Sequence, residues 1–273
     1  MTLTIRPATR EEIPLLLDWA AAEGWNPGLH DAATFHAADA EGFLLGLEDG
    51  TPIGCISAIR QGEGHGFIGF YIMRPDRRGQ GHGIALWRQA MLRLAGRTIG
   101  LDGVVAQQAN YARSGFALAW RNIRYAAAAP RPVPGAAPEP VLPATLAEAA
   151  ALDVLVFPED RGAFLDGWMH APGHRALMLP GRAFGVLRPC REGAKLGPLT
   201  ASDPAAARAV FNSLIANTAG PIFLDLAEPN REAVALAEEA GMTPVFETAR
   251  MYAGPAPKLD LTALYGVCSF ELG

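Results

Sequence analysis

The most informative segment of the first half is Tyr71–Gly83, which reads YIMRPDRRGQGHG. An apolar strand ends where Arg74-Pro75 begins, and the basic pair Arg77-Arg78 follows. Three glycines then alternate directly before a predicted amphipathic helix, namely Gly79, Gly81 and Gly83. Glycine allows positive φ and brings backbone amides close to a ligand, and a helix N-terminus adds unpaired amides and a positive dipole end. The segment therefore predicts a phosphate site to which arginine contributes charge.

On either side of this segment, the spacing of apolar residues predicts alternating strands and helices. Asp49-Gly50 is the best two-residue hairpin turn in the chain. The predicted elements are, in order, strand Leu3–Arg6, helix Arg10–Glu23, helix Asp31–Asp39, strands Phe43–Glu48, Pro52–Arg60 and Phe67–Met73, helix Gly83–Leu94, strand Thr98–Val104, helix Gln107–Ser114 and strand Phe116–Tyr125. This order predicts an α+β fold, a mainly antiparallel mixed sheet flanked by helices.

Length and composition predict a folded protein of about two domains. The chain has 273 residues, of which 50% are hydrophobic and 19% charged, and this composition excludes global disorder. The net charge of −5 does not favour nucleic-acid binding, which needs a basic surface. No apolar run reaches the roughly 18–20 residues of a membrane span, and the polar N-terminus has no secretion signal, so we expect no membrane partner and a cytoplasmic protein. Three distant cysteines (Cys55, Cys190 and Cys268) predict neither disulfides nor a metal site.

Residues 126–143 separate two halves that resemble each other. This segment, AAAAPRPVPGAAPEPVLP, is rich in Pro and Ala and predicts an extended connector. Thr9 and Glu12 form the Thr-x-x-Glu signature of a capped helix start, and Thr145 and Glu148 repeat it in the second half. The repetition favours an internal duplication. The predicted division is residues 1–128 for the first domain, 129–141 for the linker and 142–273 for the second domain.

Two motifs of the first half match one family. The spacing Arg78-x-x-Gly81-x-Gly83 lacks the Lys and Ser/Thr of a P-loop and the acidic residue of a dinucleotide fingerprint. It resembles the R-x-x-G-x-G pyrophosphate motif of the GCN5-related N-acetyltransferases, the GNAT family. Tyr111-Ala-Arg-Ser-Gly115-Phe116 matches the family's final Tyr-x-x-x-Gly-Phe motif. The resemblance implies a GNAT domain that binds acetyl-CoA and needs no metal.

The same resemblance assigns roles to individual residues. It implies that Tyr111 is the general acid that protonates the departing CoA sulfur; the alternative is a partly buried tyrosine bonded to backbone. The family's acceptor-binding segment falls on Trp25 and Asn26, and Trp25 either lines a pocket or caps the core. The residues that the resemblance assigns to acetyl-CoA are Ile72, Met73, Arg78, Gly79, Gln80, Gly81, His82, Gly83 and Ile84.

A general base is not evident in the sequence. Many family members carry a glutamate in the strand before the glycine loop, and the corresponding position here is Gly69. Three alternatives stay open: a base from elsewhere in the chain, a water relay, or an acceptor amine of low pKa. The acidic candidates are Glu23, Asp31 and Glu63, and each of them also fits a solvated surface residue.

The second half keeps the frame of the first but lacks its motifs. No R-x-x-G-x-G precedes the helix after Asp203, and Ala237 takes the place of Tyr111, so we expect no turnover from this half. A catalytic first copy with a degenerate second copy resembles the two-domain, YitH-like group of the family.

The resemblance implies an acetyl-CoA-dependent N-acetyltransferase that acts on the amine of a small molecule. The alternative is a non-catalytic acyl-CoA-binding sensor or regulatory module. We expect a monomer or a homodimer.

Overall fold

Thirteen strands and eight α-helices make up the described part of the chain, residues 2–273, in this computed structural model. The strands are Leu3–Pro7 (β1), Phe43–Glu48 (β2), Thr51–Gln61 (β3), His65–Met73 (β4), Thr98–Val104 (β5), Phe116–Ala127 (β6), Leu142–Pro143 (β7), Arg175–Leu179 (β8), Ala183–Pro189 (β9), Ala194–Ala201 (β10), Ile222–Ala227 (β11), Thr243–Ala253 (β12) and Leu264–Gly266 (β13). The helices are Ile13–Ala22 (α1), Asp31–Ala38 (α2), His82–Arg93 (α3), Gln108–Arg113 (α4), Leu146–Asp153 (α5), Gly162–His170 (α6), Pro204–Ile215 (α7) and Arg231–Glu239 (α8). The predicted α+β architecture is confirmed.

Local sequence signals set the boundaries of several elements. The hairpin between β2 and β3 turns at Asp49 and Gly50, which have φ values of 47° and 83°, as a turn with two left-handed residues requires. Helix α7 begins as predicted, because the Asp203 side chain accepts a hydrogen bond of 2.9 Å from the backbone N–H of Ala206 and Pro204 occupies the first helical position. The predicted helix Arg10–Glu23 begins instead with a 3₁₀ turn, Arg10–Glu12.

All strands belong to one sheet, in which the two halves exchange their last strands. The order is β1-β2-β3-β4-β5-β12-β6-β11-β10-β9-β8-β7, and β13 pairs with β10. Strand β6, which the sequence predicts as the closing strand of the first half, pairs with β11 and β12 and not with β5. Strand β12 of the second half takes the place beside β5. The halves are therefore joined by backbone hydrogen bonds as well as by the linker.

Two buried ion pairs accompany the exchange and occupy equivalent places. Arg124 of β6 forms two hydrogen bonds, of 2.6 and 2.8 Å, with Asp225 of β11. Arg250 of β12 forms two, of 2.8 and 2.7 Å, with Asp102 of β5. Each half thus supplies the aspartate for the arginine of the other half's last strand. Removing one partner of such a pair leaves a buried charge without a counter-charge, which typically costs about 3–5 kcal/mol. These pairs therefore disfavour any other pairing of β6 and β12.

The connector between the halves packs on the second half. Residues 128–141 lie between β6 and β7, and Val133 in this segment is buried. The Asn212 side chain of α7 brackets Val133, accepting from its N–H at 2.8 Å and donating to its carbonyl at 2.8 Å. The division into residues 1–128, 129–141 and 142–273 stays a prediction, to which the structure adds the exchange of β6 and β12.

The structure also shows the state of the three cysteines and the character of the helices. Cys55, Cys190 and Cys268 are buried and free. Across residues 2–273, no helix combines the length and the apolar character that crossing a membrane requires. The cytoplasmic location stays a prediction.

Candidate active site

A cavity of about 510 Å³ opens where β4 and β5 diverge. The two strands run parallel and pair only over His65–Ile68 and Thr98–Leu101. Beyond this point β4 forms a bulge opposite β3, and Phe70 adopts a left-handed φ of 46°. A bulge bends a strand and ends its regular pairing. The β5-facing edge of β4 therefore has no strand partner from Gly69 to Met73, and its backbone groups face the cavity.

The glycine loop forms one end of the cavity. Gly79 and Gly81 have φ values of 75° and 86°, a region that residues with a Cβ rarely adopt, and open space lies where a Cβ would stand on each. Gly81 is the N-cap of α3, so the first amides of that 12-residue helix have no partner within the helix. The loop thus presents several backbone donors and a positive dipole end to the cavity.

Carboxylates hold the arginines of this loop in place. Arg78 donates from Nε to the Met73 carbonyl at 3.0 Å, and its guanidinium forms an ion pair with Glu23 at the end of α1. Arg77 forms an ion pair with Glu48 at 2.9 Å. Because Arg78 and Glu23 both line the cavity, their ion pair lies at its rim and fixes the loop relative to α1.

Tyr111 enters the cavity from α4. Its ring stacks on Trp87 of α3, with ring centroids 5.5 Å apart. Gly103 of β5 leaves room for the ring, because a Cβ at that position would lie only 2.5 Å from it. Burial and the neighbouring Tyr71 raise the pKa of Tyr111 to about 12. The phenol is therefore protonated at neutral pH and has a proton to donate.

Tyr71 is a second phenol in the cavity that sequence reasoning did not select. Its ring packs on Trp87 at 5.6 Å, and a Cβ at Gly83 would lie 2.8 Å from its hydroxyl. Burial raises the pKa of Tyr71. The strand period of two places Tyr71 on the same face of β4 as the predicted cofactor residue Met73, so the sequence pattern could have indicated Tyr71.

Nine of the twelve site residues predicted from the sequence line this cavity. They are Trp25, Ile72, Met73, Arg78, Gly79, Gly81, Gly83, Ile84 and Tyr111. Gln80, His82 and Asn26 do not line it. The Gln80 side chain donates to the Asp76 carbonyl at 3.1 Å, and His82 Nε2 lies 3.4 Å from a Glu48 oxygen. For Gln80 and His82, contact of the ligand with the backbone amide stays a prediction.

Asn26 makes a structural contact. Its side chain donates to the Glu192 carbonyl at 2.9 Å and accepts from the Glu192 N–H at 2.9 Å. These bonds tie the loop after α1 to the turn between β9 and β10. The predicted substrate contact of Asn26 is not favoured by this geometry, whereas Trp25 beside it lines the cavity.

The inner wall of the cavity comes from the exchanged strand and the second half, which sequence reasoning missed. Arg124 of β6 donates to the Trp25 carbonyl at 3.0 Å. Its guanidinium lies 5.6 and 5.1 Å from the ring centroids of Phe246 and Phe270. Thr248 of β12 also lines the wall. The fold places these residues together, because the linear order separates Arg124 from Phe270 by more than half the chain.

The three acidic candidates for a base lie in different surroundings. Glu23 lines the cavity but is paired with Arg78. Asp31 is buried away from the cavity, where it accepts from the Gly28 N–H at 2.7 Å and lies 3.2 Å from Arg188. Glu63 is exposed in the turn between β3 and β4. Neither Asp31 nor Glu63 can reach an amine in the cavity.

In the second half, the equivalent divergence of strands is filled by the chain itself. Strands β10 and β11 run parallel over three residue pairs, after which β13 pairs with β10 in the antiparallel sense. Tyr265 of β13 lies buried in the core of this half. Ala237, at the position corresponding to Tyr111, is fully buried. The expectation of no turnover from the second half stays a prediction.

Both halves match models of the same family. Residues 10–116 match the model described as the acetyltransferase (GNAT) family, and residues 149–266 match the acetyltransferase (GNAT) domain model. The holothin acyltransferase of Pseudoalteromonas sp. (strain SANK 73390) is 28% identical over 281 residues, which cover all of this chain and 95% of that protein.

Solved structures share the two-half fold. A protein from Pyrococcus horikoshii, provisionally named an acetyltransferase, superposes with a TM-score of 0.86 at 21% identity and covers 99% of this chain and 96% of its own. A tandem GNAT protein from the clavulanic acid biosynthesis pathway has a TM-score of 0.65 at 15% identity, with 93% of this chain and 100% of its own covered. At these identities the likeness shows the fold.

Proposed function

The chain belongs to the GNAT acyltransferase superfamily and has two GNAT domains in tandem, and we propose that it transfers an acetyl group from acetyl-CoA to the amine of a small molecule. The observation that carries the proposal is the meeting of two groups in one cavity. The glycine loop offers amides for a diphosphate at one end, and Tyr111 offers a proton farther in. Acyl transfer from a CoA thioester uses both groups, the amides to bind the diphosphate and the proton to neutralise the departing sulfur.

The residues present fit acetyl-CoA. Left-handed Gly79 and Gly81 leave open space at the N-terminus of α3, where a diphosphate would accept from backbone N–H groups. The unpaired edge of β4, which includes Ile72 and Met73, offers backbone groups to an amide-containing arm such as pantetheine. Acetyl-CoA supplies a thioester carbonyl that is activated toward an amine.

Tyr111 contributes the proton that the CoA sulfur takes up. Its raised pKa, about 12, keeps the phenol protonated over the working pH range of most enzymes. Stacking on Trp87 and the space left by Gly103 hold the ring in one orientation. A positioned acid of this kind typically contributes about 10²–10⁴-fold to a rate.

The acceptor amine is proposed to bind at the inner end of the cavity. Trp25, Phe246 and Phe270 form apolar and aromatic walls there, and the Arg124 guanidinium lies 5.6 and 5.1 Å from the ring centroids of the two phenylalanines. This wall is built from both halves, so the second half shapes the acceptor site. The relative named holothin acyltransferase matches across both halves, and its name supports acyl transfer by proteins of this two-half form.

Release of thiol from acetyl-CoA tests the proposal. Purified full-length protein is mixed with acetyl-CoA and one of benzylamine, tyramine, histamine or aniline, and free CoA is followed with a thiol reagent. We expect amine-dependent release, with the acetylated amine detected by mass spectrometry. Binding of acetyl-CoA without release for any amine would contradict the proposal and would favour the alternative, a sensor of acyl-CoA. The same assay with longer acyl-CoA donors measures the preference for the acyl chain.

A further inference from the structure

The C-terminal tail lies against both halves of the sheet. It first forms β13 in the second half, and the Val267 N–H donates to the Asp225 carbonyl at 2.7 Å. The tail then crosses to the first half. The Gln61 side chain of the first half donates to the Leu272 carbonyl at 2.7 Å, and Arg161 of the second half donates to the Gly273 carbonyl at 2.8 Å. The course of these last residues is thus fixed by contacts on both sides.

Within the tail, a tight turn presents Glu271. The Ser269 hydroxyl accepts from the N–H groups of Glu271 and Leu272, at 3.3 and 3.1 Å. Glu271 is 5% exposed and lines the cavity. Its place at the cavity therefore results from a defined backbone conformation.

Gly69 and Glu271 occupy the same part of the site. A Cβ on Gly69 would clash with the Glu271 carbonyl oxygen and would lie 3.0 Å from its Cα. The strand position that lacks a carboxylate is therefore also the position against which the tail packs. The absence of a side chain at Gly69 is what allows the tail to bring a carboxylate there.

The Glu271 carboxylate has no close partner among residues 2–273. None of their side chains forms an ion pair within 4.0 Å or a hydrogen bond with it. Its oxygens are nevertheless not fully enclosed by protein. The charged groups that face it from neighbouring strands are Arg124 of β6, Arg188 of β9 and Lys195 of β10. Arg124 is committed to Asp225, and Arg188 to Asp31. A buried, unpartnered carboxylate that lines a cavity is free to act on a ligand.

We propose that Glu271 is a catalytic base, which the C-terminal tail delivers to the site in place of the residue missing at Gly69. The inference rests on the proposed function, because it needs an acceptor amine in this cavity.

An alkylammonium acceptor gives one proton to the Glu271 carboxylate, and the neutral amine attacks the thioester carbonyl carbon. The C–N bond forms and the C–S bond breaks, and the sulfur takes a proton from Tyr111. The second proton of the former amine restores Tyr111. Glu271 returns its proton to water, so the products are the amide, the free thiol of CoA and one proton.

The test compares E271Q with wild type in the full-length chain. Glutamine keeps the shape and the tail contacts of glutamate but cannot accept a proton. With benzylamine or tyramine at pH 7 we expect kcat to fall about tenfold, less than is typical for a lost base because cavity water can also take the proton. The deficit should shrink as the pH rises, since more of the amine is then neutral in solution. Aniline, which is neutral at pH 7, should be acetylated by both proteins at similar rates.

Controls separate a base from a structural role. Affinity for acetyl-CoA and the midpoint of thermal unfolding should be the same in E271Q and wild type. E271D should recover part of the lost rate, and E41Q, a change at a residue whose side chain is 74% exposed, should keep the wild-type rate. An E271Q enzyme with the wild-type pH profile for alkylamines would overturn the role of Glu271 and leave the proposed function intact. Failure of wild type to acetylate any amine would instead overturn the proposed function.

Discussion

The Y111F variant is expected to lose at least about a hundredfold in kcat, within the range typical for a lost general acid. Phenylalanine keeps the ring that stacks on Trp87 and fills the space beside Gly103, so the cavity keeps its shape. It removes only the hydroxyl whose proton the CoA sulfur takes up. Affinity for acetyl-CoA should therefore change little, and steady-state kinetics together with calorimetric titration would separate the two effects.

Y125F is the matched control for this change. Tyr125 is buried in the core of the second half, away from the proposed cofactor and acceptor sites. Loss of its hydroxyl should leave kcat near the wild-type value. An unaltered rate in Y111F would contradict the assignment of the acid, and Tyr71, the second phenol in the cavity, would become the residue to substitute next.

The G81V variant is expected to lose about a hundredfold in affinity for CoA. Gly81 has φ of 86° at the N-cap of α3, and a valine there would have to leave this conformation or cover the amides of the first helical turn. Hydrogen bonds to charged groups contribute about 1.5–3 kcal/mol each, so the loss of one or two accounts for an effect of this size. Calorimetric titration with CoA measures it.

G96V controls for the backbone strain itself. Gly96 has φ of 83° and equally open surroundings, but it lies after α3 and does not line the cavity. Both variants should unfold more easily than wild type, whereas only G81V should lose affinity for CoA. Equal affinities in G81V and wild type would show that the loop amides do not hold the ligand.

Elements governed by neighbouring residues could be predicted from the sequence. The strand Thr98–Val104 has the predicted bounds, and the hairpin turn lies at Asp49-Gly50, because period and turn chemistry act within a few residues. The glycine loop is likewise local, since Gly79 and Gly81 need left-handed φ whatever the rest of the chain does. Most of the predicted cofactor residues therefore line one cavity.

Features that depend on strand partners could not be predicted. The pattern of Phe116–Tyr125 predicts a strand but does not indicate which strand it pairs with. The equivalent pairs Arg124–Asp225 and Arg250–Asp102 favour the exchange, yet each joins residues more than 100 positions apart. The inner wall of the site and the position of Glu271 follow from the exchange and from the path of the tail, so local reasoning missed them.

Calorimetric titration of the wild-type chain tests whether the glycine loop holds the diphosphate of CoA. Pantetheine, which has the thiol arm but no diphosphate, is the comparison ligand. We predict saturable binding of CoA and acetyl-CoA with 1:1 stoichiometry and binding of pantetheine that is at least about a hundredfold weaker, as the loss of charged hydrogen bonds implies. Absence of CoA binding, or equal affinity for pantetheine, would show that the loop does not hold the diphosphate.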